Sequence, residues 1–274
     1  MVNLIGHGQE QTRRDGIDEY PFALENLRFA FMLGCMRDER LTQQKDPLEG
    51  KIIYVLVLTV LVQFLYPISV SDSPFVLIAF QIFYISLFVA GIYLVSNSRV
   101  TMWLLIIATL FWLIAGSTYA FRPDLIWANY LVYIILIFFQ SALVVVLVRF
   151  IFRTTVVNRD VLLAAITVYL LLGAVFVSVY GIIETITWFP DQTTHAFIDG
   201  LNEYDADFPW QTFVYYSYAT LTTLGYGDIL PVTFWARSAA TFEAVVGVLY
   251  TAVIVARLIG LYAAREVEEE IASG

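Results

Sequence analysis

The sequence predicts an all-α membrane protein, with six membrane-spanning helices and one shorter helix that enters the membrane and turns back. Three observations carry that prediction. Of the 274 residues, 59% are hydrophobic and only 14% charged, where a soluble domain is about a quarter charged, and the mean hydropathy is +0.75. The apolar residues fall into six runs, each close to the ~20 residues that cross a hydrocarbon core. Between the last two runs lies a half-length apolar and aromatic stretch, Pro209 to Leu221, followed by Thr222-Thr223-Leu224-Gly225-Tyr226-Gly227-Asp228. Irregular backbone at membrane depth is tolerated only where it lines a cavity or is buried in protein.

Composition also excludes. The single cysteine, Cys35, rules out an internal disulfide and lacks the companions of a metal cluster. A net charge of −9 argues against nucleic acid as a partner. The first apolar run begins only near Ile52, so no cleavable signal peptide is expected. No nucleotide-binding loop or catalytic constellation is visible, and the chain reads as a non-enzyme.

In chain order, residues 1–50 form a polar N-terminal segment. A helix is expected from Tyr20 to Leu41, with Leu24, Leu27 and Phe31 on one face, lying at the membrane interface. Residues 51–153 carry the first four spans, Ile52–Ile68, Phe75–Val95, Val100–Ala120 and Leu125–Val148. The fourth contains no charged residue, and Arg149 and Arg153 follow it. With no charge to move through the membrane field, this span is expected to respond only weakly to voltage. Residues 160–262 hold the fifth span (Val161–Ile183), the short helix Trp210–Leu221 and the sixth span (Val232–Tyr262); residues 263–274 form a short acidic tail.

Lysine and arginine set the orientation. With the N-terminus inside, Lys45, Lys51, Arg99, Arg149, Arg153, Arg159, Arg257 and Arg265 fall on the cytoplasmic side, and only Arg122 and Arg237 on the other. Both termini are then cytoplasmic, in a multi-pass protein of the cell membrane. The loop at Thr222–Asp228 enters from outside.

Two glycines flanking a tyrosine let that loop take dihedrals that a Cβ forbids. The heptapeptide resembles the selectivity filter of the tetrameric potassium channel family. Leu224 stands where valine or isoleucine is commoner. The resemblance covers residues 161–262 well and the first four spans only in number. It implies a homotetramer in which carbonyls of Thr223, Leu224, Gly225 and Tyr226, with the Thr223 hydroxyl, replace the water shell of K+. Thr222, Gly227 and Asp228 would support that strand, and no partner beyond the other subunits and membrane lipids is implied. Some family members pair a pore-helix glutamate with the filter aspartate; here that position is Ala219. Other readings are a poorly selective cation channel, a non-conducting partner subunit, and an uptake transporter, which usually carries four such repeats per chain.

Around the filter, Tyr215, Tyr216 and Tyr218 are expected to pack as an aromatic cuff, with Tyr215 or Tyr216 bonding Asp228. Glu243, inside the sixth span, is expected to hydrogen-bond the back of the short helix. Gly247 lies nineteen residues after Asp228 (247 − 228). It reads equally as a hinge or as a close-packing site. Thr251, Val255 and Ile259 share one helical face and form the expected gate. The outer segment Trp188–Phe208 carries Asp191, Asp199, Glu203, Asp205 and Asp207, which either concentrate cations or are simply solvated. His195 in that segment reads as an ordinary exposed histidine.

Overall fold

Seven helices form among the described residues, because apolar backbone in lipid must satisfy its own hydrogen bonds. They are α1 (Ile52–Phe64), α2 (Pro74–Leu94), α3 (Arg99–Phe121), α4 (Ile126–Arg153), α5 (Arg159–Trp188), α6 (Trp210–Leu221) and α7 (Phe234–Ser273). The computed structural model describes residues 48, 50–65, 67, 74–96, 98–121, 125–188, 194–200 and 209–273. The expected helix Tyr20–Leu41, Cys35, Lys45, Arg122, Asp191, Glu203, Asp205 and Asp207 lie outside them. Four helical stretches are long and apolar enough to cross a membrane: Arg99–Thr118, Ile126–Arg153, Arg159–Trp188 and Phe234–Ala264. Ile52–Phe64 and Gln81–Leu94 are shorter apolar helical stretches.

Hydroxyls within the helices return to their own backbone. Thr109 donates to Leu105 O at 2.7 Å, Thr167 to Leu163 O at 2.7 Å and Thr185 to Gly181 O at 2.6 Å. Each bond spans four residues, so a threonine costs little inside an apolar helix.

Helix ends depart from the apolar limits for local reasons. The first helix stops at Phe64, not Ile68, since Pro67 disfavours helix in the residue before it. The fourth runs past Val148 to Arg153 and so takes in Arg149. The fifth starts at Arg159, where Asn158 Oδ1 accepts the Val161 N–H at 2.9 Å as an N-cap. It continues to Trp188 rather than stopping at Ile183. The sixth begins at Phe234, not Val232, and does not stop at Tyr262. The expected tail is helical through Ser273, because alanine, arginine and glutamate are strong helix formers and glycine appears only at Gly274.

Residues 48–274 make one compact unit. Helix α4 packs along α5, to which the short linker Thr154–Asn158 joins it; α1 packs on both α2 and α5. The peripheral core centres on Phe88, whose ring lies 4.1 Å from Phe139 and 5.0 Å from Trp112. Gly91 makes room for it, since a Cβ there would sit 2.6 Å from Phe139 Cζ. A second cluster joins Tyr180 and Phe176 of α5 to Phe213 and Tyr216 of α6, and to Phe197 and Ile229. Phe197 and Ile229 belong to a small antiparallel sheet, absent from the sequence reading. It pairs β1 (Phe197–Asp199) with β2 (Ile229–Pro231), in the register Phe197↔Pro231, Ile198↔Leu230 and Asp199↔Ile229.

Candidate functional site: the loop after the short helix

The short helix occupies Trp210–Leu221, the residues expected. Pro209 is its N-cap, with φ −65° and ψ 148°. The following loop folds back on the helix end. Thr222 N–H donates to Tyr218 O at 3.1 Å and Thr223 N–H to Thr220 O at 3.0 Å. Leu224 and Gly225 both donate to Ala219 O, at 2.8 and 3.1 Å. Carbonyls that a helix C-terminus leaves orphaned are thus satisfied by the loop itself. Ala219 contributes through its backbone carbonyl alone.

The loop alternates in hand. Thr223, Gly225 and Gly227 have φ of +60°, +53° and +78°, while Leu224 and Tyr226 between them do not enter that region. Successive carbonyls of an ordinary strand point to opposite sides. Putting every second residue in the left-handed region lets neighbouring carbonyls face one side. Glycine takes that conformation freely; Thr223 accepts it at a cost of roughly 1–2 kcal/mol. Residues Thr222 through Gly227 are exposed in the single chain.

Behind the loop, the Tyr215 hydroxyl donates to Asp228 Oδ2 at 2.6 Å. Its ring stacks on Tyr226 with centroids 6.3 Å apart and planes 4° from parallel. Asp228 Oδ1 accepts the Ile229 N–H at 3.0 Å. Tyr216 makes no such bond to Asp228: its ring lies edge-on to Tyr180 and Phe197 at 5.0 and 5.2 Å. Tyr218 turns outward to Leu170 O, at 2.8 Å, over Gly173. A Cβ on Gly173 would lie 2.6 Å from the Tyr218 ring.

Glu243 is fully buried. Ser217 Oγ of α6 lies 2.5 Å from its Oε1, and the Tyr180 hydroxyl of α5 donates to its Oε2. One carboxyl therefore joins α5, α6 and α7. A buried glutamate in an apolar helix demands such donors, but neither Ser217 nor Tyr180 stands out in the sequence. Four residues on, Gly247 faces the end of α6. A Cβ there would collide with the Leu221 carbonyl oxygen. Helix α7 continues unbroken through this point. Of the two readings of Gly247, close packing is the one that this contact displays.

Thr251, Val255 and Ile259 lie on the exposed face of α7; Val255 is 50% and Ile259 64% exposed. Between the last two, Arg257 turns the other way. Its Nε donates to Ile151 O at 3.1 Å, and its Nη2 to Phe152 O and Thr154 O at 2.9 Å each. These carbonyls end α4, so Arg257 caps a helix roughly a hundred residues away in sequence.

His195 is not an ordinary exposed residue. Its side chain is 10% exposed, with Nδ1 2.5 Å from Glu184 Oε1 and the ring stacked on Trp188 at 4.2 Å. Glu184 Oε2 accepts the Ala196 N–H at 2.9 Å, and Ala196 O accepts the Val232 N–H at 2.9 Å. The histidine is thereby drawn into the packing around the sheet beside the loop. Asp199 lies in β1; the other acidic residues of that segment are outside the described residues. No group of three or more metal-ligating side chains occurs among the described residues.

Searches of curated proteins and of solved structures returned no match. A family model described as an ion channel matches residues 163–263, which runs from α5 through the short helix and loop into α7. That match, with the long apolar helices around it, supports a membrane protein of an ion channel family.

Proposed function

We propose that this chain is a potassium-selective channel subunit, four copies of which surround one pore. The observation that carries the reading is the alternation of hand at Thr223, Gly225 and Gly227, in a loop exposed at the end of a half-length helix. Four such loops facing an axis would offer rings of carbonyl oxygens from Thr223, Leu224, Gly225 and Tyr226 in place of water around K+. Tyr215 and Asp228 would brace the strands from behind, with Thr222 and Gly227 setting their ends. The exposed apolar face of α7, beside the loop, leaves room for neighbouring copies in such an assembly. Six crossings, with α1 and α2 as the shorter two, put both termini in the cytoplasm. Rings of Val255 and Ile259, below Thr251, would close the inner mouth by excluding water.

The test is flux through purified protein in liposomes, then single-channel recording in mixed K+ and Na+. A reversal potential that follows the K+ gradient is expected, with shallow voltage dependence. Gly225→Ala and Gly227→Ala should each abolish selectivity or conduction. A reversal potential indifferent to the K+/Na+ ratio would establish a poorly selective cation channel instead. No flux from intact tetramers would establish a partner subunit.

A further inference from the structure

A groove of about 510 Å³ runs between α1 and α2. Its walls are Tyr54, Leu58, Ile85, Val89, Ala90 and Tyr93. Ser86 also lines it, with its hydroxyl turned back on Ile82 O at 2.8 Å, which leaves the phenols of Tyr54 and Tyr93 as the other hydroxyls of the lining. The slot therefore presents mostly hydrocarbon and aromatic surface. It opens outward: Tyr54 and Val89 are each 58% exposed and Tyr93 52%. On apolar helices of this kind, an outward slot is filled by acyl chains unless protein covers it.

One end of the groove is different. There Lys51, the residue before α1, extends its ammonium over the Tyr93 ring at 4.6 Å. Its Nζ donates to Ser96 Oγ at 3.1 Å and approaches Tyr93 O at 3.4 Å. An ammonium carries three donors, so one N–H and the charge remain for a ligand. Arg99 is exposed three residues beyond Ser96, at the start of α3. The facing carboxylate on α5, Asp160, is engaged by the Gly50 N–H at 3.2 Å, and Arg159 adjoins it in sequence. Among the described residues, Lys51 is thus the charge that borders the groove. A held cation at the helix-end level, continuous with an apolar slot, matches a phosphate joined to an acyl chain.

We propose that this groove is a binding site for one anionic phospholipid, with its phosphate at Lys51 and one acyl chain along Tyr54, Leu58 and Val89. The inference rests on reading α1 and α2 as membrane helices. It also gives the peripheral helices a route to the pore unit. Helix α1 also packs on α5, and Phe64 at its far end stacks on Tyr218 of α6 at 5.4 Å. An occupied groove would hold α1 against both.

Native mass spectrometry of the full chain, reconstituted with phosphatidylglycerol or phosphatidylcholine, tests this. Wild type should retain phosphatidylglycerol in preference. Lys51→Gln should lower that retention about fivefold, the loss expected for one interfacial cation, while Lys51→Arg keeps it. Val89→Trp, which fills the slot from its exposed wall, should lower it further. Ile107→Trp, on the exposed side of α3, should leave it unchanged. Equal retention by wild type, Lys51→Gln and Val89→Trp would overturn the proposal, as would equal retention of the two lipids by wild type. Equal retention throughout is also the result if a neighbouring copy covers the groove. Bound-lipid mass is read without conduction, so failure here is distinct from failure of the potassium reading.

Discussion

Helices α5 and α7 are both long and apolar, yet the chain treats them differently. Of its most apolar stretch, α5 has 61% buried and α7 only 11%. Helix α5 is clasped by its neighbours: α4 lies along it, α1 and α6 pack on it, and Gly173 and Gly181 admit the rings of Tyr218 and Tyr133. Helix α7 touches the rest of the chain along a single stripe. That stripe runs through Glu243, Gly247, Tyr250 (bonded to Ala165 O at 2.7 Å), Ile254 and Arg257. The lesson is that equal apolarity does not mean equal burial. Helix α5 is mostly covered by its own chain, whereas α7 keeps an open apolar face, which the proposed assembly would assign to other copies or a pore.

The largest effect expected from that contrast is all-or-none. In a Cys35→Ser background, cysteines at Val248 or Leu249 of α7 should cross-link copies of the chain in membranes, seen as a dimer band on a denaturing gel. Cysteines at Leu162 or Ile166, exposed on α5, should not. Cross-linking from α5 alone would break the comparison.

Next come the two packing glycines. Gly247→Ala places a methyl against the Leu221 backbone, which cannot rotate aside, and should cost about 3 kcal/mol. Gly173→Ala meets a tyrosine ring that can shift, and should cost about 1 kcal/mol. Denaturant titration in detergent would rank them, and the reverse order would refute the account of the stripe. Gly260→Ala is the control: nothing lies within 4 Å of a Cβ there, so its effect should be within about 1 kcal/mol, towards stability.

Glu243→Ala should cost about 2 kcal/mol, because it strands the buried hydroxyl of Tyr180 and leaves Ser217 Oγ with only Gly173 O, at 2.9 Å. Adding Tyr180→Phe and Ser217→Ala to that variant should recover part of the loss. Purely additive costs would mean that the three groups do not act together.

Among the substitutions that break a contact of the stripe, the smallest effect on stability should come from Arg257→Gln. It frees the lower end of α7 from the α4 carbonyls while leaving the upper stripe intact. Thermal unfolding should move by only a few degrees, and open probability should rise in single-channel records. An unchanged open probability would show that the α4 contact does not restrain the gate.

Sequence alone decided where the helices are. In lipid the backbone must bond to itself, so an apolar run long enough to cross has one outcome, readable from composition along the chain. It also decided much of the character of the loop, since glycines at 225 and 227 take positive φ freely, while the same conformation at Thr223 had no such mark. Helix limits were blurred where strong helix formers continue an apolar run, as after Tyr262.

Tertiary structure decided the partners. Glu243 meets residues 26 and 63 positions away, and Arg257 reaches back 103 to 106. No local pattern encodes which donor will face a buried carboxyl. Tyr215 and Tyr216 are neighbours of like chemistry, and only the helical phase of α6 against Asp228 separates bracing from packing. Gly247 is the plainest case. In sequence the residue suits bending or contact alike, and the contact that tertiary structure adds is with an atom outside its own helix, the carbonyl oxygen of Leu221.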